Sequence, residues 1–117
     1  MSEPVPIPHP LPDQLIDLIA HRFRVLAEPM RIKLLDRLRD GEATVQELQE
    51  ATGGSQQNIS KHLGVLLTAG FVGRRKSGNF SCYEIVDDSV LALCEHVCGG
   101  IRRQFEGIDQ LLEGAVR

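Results

Sequence analysis

Between Thr44 and Gly70 the chain holds two short helices joined by a glycine turn, an arrangement that few folds accommodate. Thr44 and Glu47 have the spacing of a capping box, which satisfies the free amides at a helix start. The run that follows carries Val45, Leu48 and Ala51 at helical spacing and stops at Gly53-Gly54, where glycine allows a left-handed exit. Ser55 is placed to cap the next helix, which the pattern extends through Ala69 to Gly70. Two short helices around so tight a turn have the outline of a helix-turn-helix. Upstream, Leu15, Leu18, Ile19, Phe23 and Leu26 recur at helical spacing from Asp13, and another helix opens at Pro29 and runs to Asp40 before Gly41.

Downstream of Gly70 the period changes. Phe71-Val72-Gly73-Arg74-Arg75-Lys76 and Phe80-Ser81-Cys82-Tyr83-Glu84-Ile85-Val86 flank Ser77-Gly78-Asn79, which predicts a β-hairpin. Asp87 or Asp88 can then cap a last helix with Val90, Cys94, Val97, Ile101, Phe105, Ile108 and Leu112 on one stripe. That stripe is longer than the first helix can cover, so it is expected to pack against a second copy and form a homodimer. The competing arrangement is an intramolecular helical hairpin, since Gly99-Gly100 permits either close helix contact or a kink. A chain of 117 residues suits one domain, and with 42% apolar but only 4% aromatic residues its core must be Leu, Ile, Val and Ala. Alternating prolines from Pro4 to Pro12 forbid a helix, so residues 1–12 read as an extended arm and 13–117 as the domain. The expected fold is mostly α with a β-hairpin wing, in the order four helices, two strands, one helix.

No apolar run reaches the length of a membrane span and the N-terminus lacks the pattern of a signal peptide, so a cytoplasmic protein is expected. Three cysteines there read as thiols rather than disulfides. The net charge of −3 opposes binding to a polyanion, yet residues 55–85 carry Lys61, Arg74, Arg75 and Lys76 against Glu84 alone. On the helix after Ser55, Ile59, Leu63, Leu66 and Leu67 define the buried side. Gln57, Lys61 and Gly64 lie opposite, with Asn58 and Ser60 at the flanks, and ordinary solvated helices carry Glu and Lys pairs instead. Gln and Asn amides read adenine edges, while Ser and Lys reach bases or phosphate. The candidate DNA contacts are therefore Ser55, Gln56, Gln57, Asn58, Ser60, Lys61, His62, Arg74, Arg75 and Lys76, with His62 close enough to the buried edge to be either a phosphate contact or a packed histidine. Double-stranded DNA is the expected partner. A winged-helix protein-interaction module is the alternative, and an enzyme is excluded because no nucleophile-base pair, phosphate loop or metal-hydrolase motif is present.

Three segments in order, Phe23-Arg24-Val25-Leu26-Ala27-Glu28-Pro29-Met30-Arg31, Ser55 to Leu63, and Leu67-Thr68-Ala69-Gly70-Phe71-Val72, resemble the ArsR-type family of bacterial repressors. The resemblance spans residues 13 to 112. It implies a homodimer built from the first and last helices, a recognition helix from Ser55 to Ala69 and a wing from Val72 to Ile85. It also implies release from DNA by a metal, metalloid or redox signal. The family's ligand sets do not carry over: Val45 to Ala51 holds no thiol or imidazole, and Ser89, Gly100 and Arg103 accompany Asp87 where cross-dimer zinc ligands would stand. What remains is Cys94 and Cys98, one turn apart on the last helix, with His9, His21 and His96 as weaker ligand candidates for a transition metal or metalloid. The same cysteines also suit plain apolar filling, and a regulator without any small-molecule inducer is the remaining alternative.

Overall fold

The computed structural model describes residues 6–105 and residue 111. Residues 6–12 form no helix or strand, and Pro12 holds the extended conformation from which α1 (Asp13–Leu26) departs. Glu28 caps α2 (Pro29–Leu38) by accepting from the Met30 amide, with Pro29 in the first turn where its missing N–H costs nothing. Two residues beyond Leu38 continue only as a turn, so α2 is shorter than its sequence pattern suggests. A strand absent from the expected order follows: β1 (Ala43–Thr44).

The capping box then forms as its spacing requires. Thr44 Oγ1 accepts from the Glu47 amide at 3.2 Å, and Glu47 Oε1 accepts from the Thr44 amide at 3.0 Å, opening α3 (Val45–Thr52). The Thr44 amide and the Thr44 hydroxyl, which donates to Glu47 Oε1 at 3.2 Å, together hold the Glu47 carboxyl below the usual carboxylate range. Gly53 ends α3 in the left-handed conformation, at φ 77°. Ser55 caps α4 (Gln56–Thr68), and the wing follows as β2 (Val72–Ser77) and β3 (Phe80–Ile85) around Gly78-Asn79, with Gly78 at φ 65°. Last comes α5 (Ser89–Gln104). Asp87 rather than Asp88 supplies its cap, accepting from the Ser89 amide at 3.1 Å.

The three strands form one antiparallel sheet in the order β1-β3-β2, with Ala43 opposite Tyr83 and Arg75 opposite Cys82. Leu34, Leu35, Leu48, Ile59, Leu63, Leu66 and Phe71 are fully buried and join α2, α3, α4 and the root of the wing. At about 1.5–3 kcal/mol of transfer free energy per buried aliphatic side chain, this centre fixes the helix-turn-helix. Arg22 ties α1 to the rest: it bonds Asp87 at 3.1 Å and stacks over the Phe71 ring at 5.1 Å.

The stripe on α5 is different. Val90 is buried, but Val97, Ile101 and Phe105 are 54%, 41% and 53% exposed, and on α1 Ile16, Leu18 and Phe23 are exposed too. Ile108 and Leu112, read as the end of that stripe, and Pro4 and Val5 of the arm lie outside the described residues. Among the described residues no helix is long and apolar enough to cross a membrane.

Candidate nucleic-acid interface

The turn between α3 and α4 is locked by short-range bonds. Thr52 donates its hydroxyl to the Leu48 carbonyl at 2.7 Å and accepts from the Gly54 amide at 3.3 Å. At Gly54 a Cβ would lie 3.1 Å from both Ile59 and Met30, so the absence of a side chain lets α4 seat closely against α2. Ser55 Oγ accepts from the Asn58 amide at 3.1 Å, which leaves its hydroxyl proton as a donor outward.

With Ile59, Leu63 and Leu66 buried, the opposite face of α4 is set. Gln56, Gln57, Ser60, Lys61 and Gly64 are exposed, Asn58 is half-buried, and 57, 60, 61 and 64 have the spacing of a single helix face. That face bears amides, a hydroxyl and one cation, with no carboxylate to repel phosphate. His62 does not belong to it. At 6% exposure it is the buried polar residue of the core among the described residues, and its Nδ1 lies 3.3 Å from Arg31 Nη1. Burial, followed by the charge of Arg31, lowers the His62 pKa, so the ring is neutral at pH 7.

The wing's three cations divide between its two faces. Arg74 and Lys76 alternate with Arg75, and all three are exposed. Arg75 is ion-paired with Glu42, which β1 delivers to the wing by pairing with β3. Between wing and helices runs a polar groove of about 540 Å³, lined by Gln46 and Gln49 of α3, Gln56 of α4 and Asn79, Phe80 and Ser81 of the wing tip. The sequence alone does not single out Gln46, Gln49 and Asn79, because nothing local places α3 beside the tip of a hairpin about thirty residues later.

The metal candidates do not converge. Among the described residues no three of His, Cys, Asp and Glu come together as a metal-holding group. Asp87 is committed to Ser89 and Arg22, which hold its carboxyl below the usual range. Cys94 is half-buried and Cys98 exposed on α5, with His96 exposed on the turn between them. Burial pushes the Cys94 thiol up against the opposing pull of Arg39. Within one protomer, then, the described residues do not fit a three- or four-ligand metal centre.

A family model for a helix-turn-helix domain matches residues 26–75. The HTH-type transcriptional regulator KmtR of Mycobacterium tuberculosis is 35% identical over 103 residues, covering 82% of this chain and 79% of that one. The probable mercury resistance operon repressor of Streptomyces lividans is 39% identical over 89 residues, covering 76% of this chain and 66% of its own length. In structure, the homodimeric winged helix-turn-helix DNA-binding domain of Mycobacterium bovis Mb0332, described as a possible ArsR-family regulator, superposes with a TM-score of 0.69. That match is 27% identical and covers 85% of this chain and 97% of that one. The fold, the outward face of α4 and these relatives define a DNA-binding winged helix-turn-helix transcriptional regulator, not an enzyme. Within that class, the chain belongs to the ArsR-type family.

Proposed function

We propose that this regulator represses transcription by binding an inverted-repeat operator as a homodimer, with α4 in the major groove. The observation that carries the reading is the exposed, carboxylate-free polar face of α4, with the groove that Gln56 at its start shares with the wing tip. Gln57, Asn58 and Ser60 meet base edges, Ser55 and Gln56 approach the backbone from the helix start, and Lys61 reaches guanine or phosphate. Arg74 and Lys76 neutralise flanking phosphates, while Arg75 does so only when Glu42 releases it.

The exposed apolar residues of α1 and α5 supply the dimer contact, since a second copy would remove Phe23, Val97, Ile101 and Phe105 from water. Residues 13–117 act as the DNA-binding and dimerisation unit, and the proline-rich residues 1–12 as an arm. The releasing signal acts at Cys94 and Cys98, which border an apolar cavity of about 510 Å³ between α1, α2 and α5 that Phe23, Val97 and Ile101 of that contact also line. Two thiols there suit a soft metal, a metalloid or a thiol-reactive species better than a hard ion. Tenfold release from DNA requires a coupling of about 1.4 kcal/mol.

Fluorescence anisotropy with duplexes from the region upstream of the regulated gene and with random duplexes tests the reading. Specific binding should exceed random binding by at least about a thousandfold at physiological salt. Equal affinity for both duplexes would overturn it.

A further inference from the structure

Arg31 occupies the junction of three helices. Its Nε donates to the Val25 carbonyl at 2.6 Å, in the last turn of α1, where carbonyls lack partners within the helix. Its Nη1 lies 3.3 Å from His62 Nδ1, in the middle of α4. One guanidinium therefore spans from the helix whose apolar face is exposed to the helix whose polar face is exposed. Neither the Arg31 nor the His62 side chain belongs to the outward face of α4.

Arginine can only donate, so the contact requires His62 Nδ1 to be an acceptor and the ring to be neutral with its proton on Nε2. A second proton would oppose two donors and two positive charges in a buried place. We propose that Arg31 and His62 form a strut that sets the position of the recognition helix relative to the dimer helix, so operator binding requires His62 to be unprotonated. His62 is thus a positioning residue and not a DNA contact. The inference rests on α4 being the DNA-reading helix.

The charged groups around the ring agree with this requirement. Burial, Arg31 of α2 and Lys61 of α4 itself all disfavour the imidazolium, and Glu28 at the start of α2 alone favours it. The ring's pKa is lowered on folding, so the unfolded chain binds the proton more readily than the native one. Stability from the strut is complete above the ordinary histidine range and is lost as pH falls through the lower native value. Acidification should therefore weaken the strut before it unfolds the domain.

The test compares wild type, His62→Asn, His62→Ala and Gln57→Ala, each checked for native circular dichroism, by anisotropy on the operator from pH 7.5 to 5. The asparagine side chain of His62→Asn places an amide oxygen at the same distance from the main chain as Nδ1 and does not titrate. We expect His62→Asn to bind within about threefold of wild type at pH 7.5, and His62→Ala about tenfold or more weakly, a loss of at least one buried charge-assisted hydrogen bond. Wild type should lose affinity toward pH 5 relative to His62→Asn, which keeps His9, His21 and His96 and so controls for their added charge. Identical pH profiles for wild type and His62→Asn would overturn the strut, as would His62→Asn failing as badly as His62→Ala. Failure of the α4 reading looks different: Gln57→Ala would then bind the operator as wild type does.

Discussion

Gly64 separates the demands of folding from those of binding. It sits inside α4 with ordinary helical backbone, and a Cβ built there meets no other atom within 4 Å. A glycine in a helix interior costs roughly 0.5–1 kcal/mol relative to alanine. Nothing in the protomer requires that cost. Gly64→Ala should therefore raise the melting temperature by about 2–6 °C, and Gly64→Glu should keep much of the gain because glutamate is also a good helix former. On DNA the signs reverse for the longer side chain. Position 64 shares its face with Gln57, Ser60 and Lys61, so a carboxylate there would fill space in the groove and face phosphates. A loss of about tenfold per half-site, or 1.4 kcal/mol, compounds to about a hundredfold over two independent half-sites. Thermal melts by circular dichroism and anisotropy titrations at one protein concentration measure both effects. Gly64→Glu melting above wild type while binding DNA equally well would refute the placement of this face against DNA.

Ile101→Glu, on a side chain 41% exposed in the protomer, should leave the fold intact and give a monomer by light scattering, with operator affinity lost as the second half-site is lost. With Lys61, Arg74 and Lys76 contributing from each protomer, log affinity should fall with log salt at a slope of about −5, and Arg74→Ala should weaken operator and random duplexes alike. The double variant Cys94→Ser/Cys98→Ser should bind DNA yet stop responding to whichever of arsenite, zinc, nickel, cadmium or a persulfide donor releases wild type; an unchanged response would move the signal to His9, His21 or His96. Asp87, its carboxyl lowered chiefly by Ser89, adds stability that is present above the ordinary aspartate range and lost as pH falls through its native pKa. Asp87→Asn should therefore flatten the acid limb of a melting-temperature profile.

What the sequence made legible is local in origin. Thr44 with Glu47, Gly53, Ser55 and Gly78 each act on backbone within three residues, so the starts, stops and turns they set could be read from spacing alone. The outward face of α4 was equally legible, because helical periodicity separates Gln57 and Lys61 from Ile59 and Leu63. Strand β1 was not, since two residues show no alternation and exist as a strand only through Tyr83 and Cys82. Nor were the ion pair of Glu42 with Arg75 and the bond of Arg31 with His62, whose partners lie 33 and 31 residues apart and meet only after the core packs. Both change the reading of the site: Arg75 is engaged within the protein, and His62 faces inward.

The central claim, that two copies of α4 read one operator together, is tested most directly by selecting binding sites from a pool of random duplexes with the purified protein. Enrichment of an inverted repeat with half-site centres about 10 base pairs, or a multiple of that, apart is the predicted result. Enrichment of a single unpaired half-site, or of no sequence at all, would contradict it.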